Sequence, residues 1–144
     1  MKKLKNEWLD RSLTICAYCY TLCLSEAEYH AQLKRLGVVK SGYGTFLNSA
    51  HGLKVHLIPV GKMKEIALPC AIVCVDAKVA KKKTTPQIFA ALAHEAVHIW
   101  QAHARDIGAF NDHGDEEEAY AIQGIAQSLM QEYARRTTKG KKKK

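Results

Sequence analysis

An α+β fold is predicted by three features: helical apolar spacing near the start of the chain, two strand-like runs in its middle, and two long helical patterns after Pro86. With 144 residues, 47% of them hydrophobic and 25% charged, the chain suits one domain with a substantial core. The expected organisation is a single domain over residues 1–136 followed by a disordered lysine-rich tail over 137–144.

Trp8, Leu9, Leu13, Cys16, Tyr20 and Cys23 recur at helical spacing, predicting a first helix from about Glu7 to Leu24, with Thr14, Ile15 and Thr21 opposing it. Ser25-Glu26-Ala27-Glu28 reads as a capping box, Ser25 being the N-cap and Glu28 the N3 residue. The helix it opens runs through Tyr29, Leu33 and Leu36 and stops at Gly37. Ser41 to Gly44 is turn material, and Phe46-Leu47 begins a short strand. His51 to Val60 alternates as a strand, ended by Pro59 and Gly61. His51 and His56 read as solvated strand residues. Cys70 to Val75 is a second strand, apolar almost throughout. That pattern means burial on both faces, or an edge that receives an extended ligand.

Lys78 to Lys83 reads as a basic loop, after which Thr85 caps a helix with Pro86 at its first position. This helix ends near Arg105. After a short loop, Asp106 to Gly114, the last helix opens in Asp115-Glu116-Glu117-Glu118 and continues through Ile122, Ile125, Leu129 and Tyr133. Acids in a first turn favour the helix dipole, a sufficient structural reason for all four. The short loop allows the two helices to be antiparallel neighbours.

The formal charge of +8 is concentrated at one end. From Arg135 onward there are seven basic residues and no acids, which leaves 15 basic against 14 acidic residues in the rest. A nearly neutral body lacks the basic face and stacking aromatics of a nucleic-acid binder. Weak, non-specific nucleic-acid contact through the lysine tail is all that the charge allows. Five cysteines, an odd number, predict reduced thiols. Cys16, Cys19 and Cys23 would share a helical stripe and Cys70 and Cys74 a strand face, as small core residues. No apolar run approaches the roughly 18–20 residues of a membrane span. Glu7 and Asp10 stand where the apolar centre of an export signal belongs, so a cytoplasmic location is expected.

The chemistry lies in His94-Glu95-Ala96-Val97-His98, an H-E-x-x-H pattern inside the first of the long helices. Histidines four apart on a helix stand one turn above each other, about 40° apart round the axis, so both rings reach one ion. Zinc accepts neutral imidazole at about 2.0–2.1 Å. Glu95 is about 100° round from His94, too far to be an evident ligand but near enough to hold a water activated by zinc. Ala91 and Ala102 leave room on that side, while Phe89, Leu92, Ala96, Ile99 and Trp100 cover the other. A catalytic zinc needs a third protein ligand and an open position. The acidic turn from Asp115 to Glu118 is the best supply, beginning 17 residues after His98.

His94-Glu95-x-x-His98 followed by Glu116-x-x-Ala119 resembles the gluzincin arrangement, in which the third zinc ligand is a glutamate on the following helix. More narrowly, Ser25 to Tyr29, Ala93 to Gln101 and Glu118 to Gln123 resemble segments of small phage- and prophage-encoded metallopeptidases, a likeness covering roughly residues 16–133. The resemblance implies a compact zincin-like domain: N-terminal helices, a small β-sheet, an active-site helix and a C-terminal ligand helix. It implies Zn²⁺ as cofactor and a peptide or protein as substrate, in the host cytoplasm if the chain is phage-encoded. His94 and His98 would be ligands, Glu95 the general base and Glu116 the third ligand, with Glu118 next in line and Glu117 after it. Tyr120 stands where related gluzincins often place an aspartate or asparagine to orient a ligand histidine.

The function expected is zinc-dependent hydrolysis of a peptide bond, with Glu95 taking a proton from water and returning it to the leaving amine. His113 and Tyr120 are candidate oxyanion partners, although a structural role suits each better, and His103 reads as a helix-end residue. The alternative is a non-catalytic, zinc-stabilised phage structural or regulatory module. An intact Glu95 weighs against that alternative, because a structural site needs no base.

Overall fold

Strand β3 (Cys70–Cys74) is the centre of the sheet, and its position follows from its composition. A computed structural model describes residues 9, 19–35, 53–56, 70–106, 108 and 115–138. On one side β3 pairs in parallel with β1 (Cys19–Cys23), Tyr20 opposite Ala71 and Leu22 opposite Val73. On the other it pairs antiparallel with β2 (Leu53–His56), giving a three-stranded sheet of order β1-β3-β2. Ala71 to Val75 are all buried. A strand covered on both faces and both edges has no polar position, which accounts for the unbroken apolar run. Of the two readings of this segment, burial is the one observed, and the ligand-receiving edge is not.

The predicted first helix is corrected over Cys19–Cys23, which is a strand. Leu9 also departs from a helix: its N–H donates to the Tyr20 carbonyl at 2.8 Å, an antiparallel bridge on the outer edge of β1. Tyr20 and Leu22 face one way while Thr21 and Cys23 face the other, and all four are buried. A strand buried on both sides loses its period-2 signal, and chance spacing of Tyr20 and Cys23 then imitates a helix. Residues 10–18, Phe46-Leu47 and the predicted strand beyond 53–56 lie outside the described residues.

Helix α1 (Glu26–Arg35) begins where the capping box predicts, and the Glu28 N–H donates to Ser25 Oγ at 3.2 Å. Glu28 returns its carboxylate to the Leu24 N–H at 2.8 Å, one residue before the expected partner. Helix α1 contacts both β1 and β3, and its buried Tyr29 and Leu33 cover the sheet face that carries Thr21, Cys23, Ile72 and Cys74.

The expected basic loop contains a short helix, α2 (Ala77–Ala80), capped by Asp76, whose carboxylate accepts from the Lys78 N–H. Helix α3 (Thr85–Asp106) is capped one residue earlier than predicted. The Thr84 N–H donates to Gln87 Oε1 at 2.9 Å, and the Gln87 N–H points back at Thr84 Oγ1 at 3.4 Å. Gln87 completes a reciprocal box with Thr84 that it could not complete with Thr85. Helix α4 (Asp115–Thr138) packs on α3. Phe89, early in α3, meets Tyr133, late in α4, edge to face at 6.5 Å, so the two helices are antiparallel. Together they cover the sheet face of Tyr20, Leu22, Ala71, Val73 and Val75, making the main core with Leu92, Ala96, Ile99, Trp100, Ile125 and Leu129.

The predicted tail boundary moves. Helix α4 runs through Thr138, and the Thr137 and Thr138 hydroxyls donate to carbonyls four residues back. Arg136 belongs to the folded body: its side chain is 2% exposed and donates to the Leu22 carbonyl at 2.8 Å and to Glu28 Oε1 at 2.5 Å. It ties the end of α4 to the corner between β1 and α1. Arg135, 38% exposed, pairs with Glu132 on its own helix. Arg136→Ala should therefore lower stability by about 2–3 kcal/mol, since it strands a carbonyl and a half-buried carboxylate. Arg135→Ala should cost less than about 1 kcal/mol. Urea unfolding of the two variants checks the contrast, and equal losses would contradict it.

Candidate metal centre

Helix α3 divides its circumference between core and water. Ile88, Leu92, Ala96, Ile99 and Trp100 are buried, and an exposed stripe of Gln87, Ala90, His94, His98 and Arg105 runs along the other side. Gln101, half-buried, lies on the same stripe. The rotation of α3 is set by its apolar residues, so both histidines are presented to solvent.

His94 and His98 meet. Their Nε2 atoms are 3.0 Å apart, with the ring planes at 84°. Two nitrogen ligands of a tetrahedral ion, each at about 2.0–2.1 Å, stand about 3.3–3.4 Å apart. The observed pair needs to open by only a few tenths of an ångström, so these two rings fit a shared zinc. On its other side, His98 Nδ1 lies 3.3 Å from Gln101 Oε1.

Glu95 lies between the stripe and the core, where it is 3% exposed. Burial pushes its pKa above the ordinary 4.5, and the nearby His94 charge opposes the shift in part. It accepts no hydrogen bond from the described residues. A carboxylate so placed is a stronger base than one in water, which suits the role foreseen for it.

Glu116, the expected third ligand, is not brought to the histidines. It is exposed in the first turn of α4, about 180° round the axis from the centre of the Ala121, Ile125, Leu129 face that meets the core. Glu118 is half-buried and lies on that inner face, while Glu117 is exposed. The axial level differs too. Counting from the Phe89–Tyr133 contact, His98 stands level with about Gly124, and Glu118 lies about 9 Å and Glu116 about 12 Å further along. Helix α3 continues two turns past His98, and the chain has to climb back over the same distance. Among the described residues, no group of three or more His, Cys, Asp or Glu is arranged to hold a metal.

The other candidates are placed as follows. Tyr120 is 68% exposed, beside Glu116 and Glu117 at the start of α4. His103 packs against Trp100 at 5.3 Å, a contact within α3. His113 lies outside the described residues. A cavity at the carboxyl ends of β1 and β3 is lined by residues including Ser25, Glu26, His30 and Lys78, and none from the histidine stripe. Sequence reasoning gave no role to Gln101, although its place three residues after His98 put it in reach of that ring.

No family model, curated protein or solved structure matches this chain.

The Glu95 environment makes a prediction for metal-free protein. Its folded pKa is raised, so the ionised carboxylate destabilises the fold at neutral pH. The cost is relieved as pH falls through the raised folded pKa, and is gone below the ordinary value of 4.5. Glu95→Gln removes that cost. The variant should be more stable than wild type at pH 7 in the presence of chelator, with the advantage shrinking towards pH 4.5. Urea unfolding across this range tests the sign, and a constant difference would show that burial does not perturb Glu95.

Proposed function

We propose that the chain is a zinc-dependent peptidase of zincin-like architecture acting on a peptide or protein substrate. The observation that carries the reading is the convergence of the His94 and His98 Nε2 atoms beside a buried glutamate. The resemblance of the motif and of the acidic turn to gluzincins supports it. Bound zinc supplies Lewis acidity, which acidifies water and polarises a carbonyl. Glu95 takes the proton of the attacking water and hands it to the leaving amine. Burial keeps it basic enough to do the first, and the protonated form that burial favours does the second. His94 and His98 hold the metal from one helix, so their separation depends on helix geometry and little else.

The third ligand would be a carboxylate from the first turn of α4, as the gluzincin resemblance implies. The gluzincin pattern selects Glu116, whereas the inner face of α4 carries Glu118. For either to close the site, the start of α4 has to approach the histidines on metal binding. The alternative, a non-catalytic zinc-stabilised module, needs a closed site of four protein ligands, which the exposed pair and the distance to α4 do not favour. No helix among the described residues is long and apolar enough to cross a membrane. A cytoplasmic location is part of the proposal.

Zinc titration of Glu116→Ala and Glu118→Ala, beside His94→Ala, tests the ligand set. Loss of His94 should abolish stoichiometric binding, and the true carboxylate ligand should weaken it far more than its neighbour. Unchanged affinity in all three variants would end the metallopeptidase reading. Glu95→Gln should keep zinc and fold but lose hydrolysis of a responsive peptide by at least about 100-fold. A metal-dependent fold with no hydrolysis in wild type would favour the module.

A further inference from the structure

We propose that Gln101 is a positioning residue for His98, its amide oxygen accepting from Nδ1–H so that Nε2 offers its lone pair towards His94. This inference rests on the reading of the two histidines as metal ligands, and adds to it the residue that orients one of them. The contact is direct, Oε1 to Nδ1 at 3.3 Å. It lies on the far side of the ring from Nε2, which is 3.0 Å from its counterpart on His94.

Chemistry makes the contact consequential. An unconstrained neutral histidine prefers its proton on Nε2, which blocks the nitrogen that a shared ion has to meet. An amide oxygen accepts and cannot donate, so a bond to Nδ1 draws the proton there and frees Nε2. The same bond limits rotation of a ring that is otherwise exposed. Tyr120, at the position where related chains often carry a histidine-orienting acid, is exposed on another helix. Gln101 is three residues from His98, so one turn of α3 builds both ligand and orienting group. A purely structural bond between an exposed and a half-buried side chain on one helix surface would contribute little to folding.

The experiment combines cobalt(II) and zinc titrations of wild type, Gln101→Leu, Gln101→Glu, His94→Ala and His98→Ala with ¹⁵N imidazole spectra. The spectra are taken of metal-free wild type and the two Gln101 variants in alkaline buffer. Wild-type His98 should carry its proton on Nδ1. In Gln101→Leu, which keeps the bulk and loses the acceptor, the proton should move to Nε2 and metal affinity fall about 10–100-fold. Gln101→Glu, which restores an acceptor oxygen, should recover both. The proposal is overturned if wild-type His98 is protonated on Nε2, if Gln101→Leu binds metal like wild type, or if Gln101→Glu rescues neither readout. Should His94→Ala and His98→Ala keep wild-type affinity, the ligand reading itself fails and this inference falls with it.

Discussion

The seating of α3 on the β1–β3 face is the constraint on which the rest of the molecule depends. Leu92, Ala96, Ile99 and Trp100 are withdrawn from water in one core with Tyr20, Leu22, Ala71, Val73 and Val75. Burying a large apolar side chain is worth roughly 1.5–3 kcal/mol, so several in concert leave α3 little freedom to rotate. With that rotation set, 3.6 residues per turn puts His94, His98 and Gln101 on the opposite side and Glu95 at the boundary. The candidate metal-binding stripe is thus what remains of the helix after the core has taken its share. A single α3 position carries both meanings: Glu95 is perturbed because the same packing that exposes its neighbours buries it.

That seating is held from two directions. At its start, α3 is closed by the Thr84–Gln87 box, which satisfies donors that a helix end otherwise leaves open. From outside, α4 lies along it and is itself anchored through Arg136 to the Leu22 carbonyl and Glu28. Glu28 serves three partners at once: the Leu24 N–H, the Ser25 cap and the Arg136 guanidinium. One glutamate thereby links the end of β1, the start of α1 and the end of α4. Among the described residues, no ion pair or side-chain hydrogen bond ties down the opposite end of α4, where the acids are. It is the end that the proposed function asks to move.

The parts of the site differ in how legible they were. His94, Glu95 and His98 lie within one turn and a quarter of a single helix, so their mutual geometry depends only on that helix forming. Its apolar pattern made this plain. Glu116 and Glu118 belong to a second helix, and their distance from the histidines depends on where α3 stops and at what level α4 packs. Both are properties of two elements together. Sequence spacing suggested that 17 residues suffice to return the chain. The eight residues that α3 runs beyond His98 use much of that span in the wrong direction. Gln101 is not legible for a different reason: helical spacing puts it in reach of His98, but only side-chain conformation shows which ring nitrogen it meets.

Local rules decided what the sequence alone could decide. The capping box at Ser25, the long helices after Pro86, the α+β class and the antiparallel pairing of the last two helices all follow from contacts a few residues apart or from a short loop. Tertiary structure decided the identity of β1, the central place of β3 and the anchoring of Arg136 to the folded body. Cys19–Cys23 carries no alternation because helices cover both faces of the sheet, and nothing within five residues reveals that. Arg136, the last residue of the predicted domain, reads only as part of the basic excess at that end until Leu22 and Glu28, more than a hundred positions away, take up its donors. A charge's meaning depends on the partner that desolvation brings to it, and that partner is chosen by the fold.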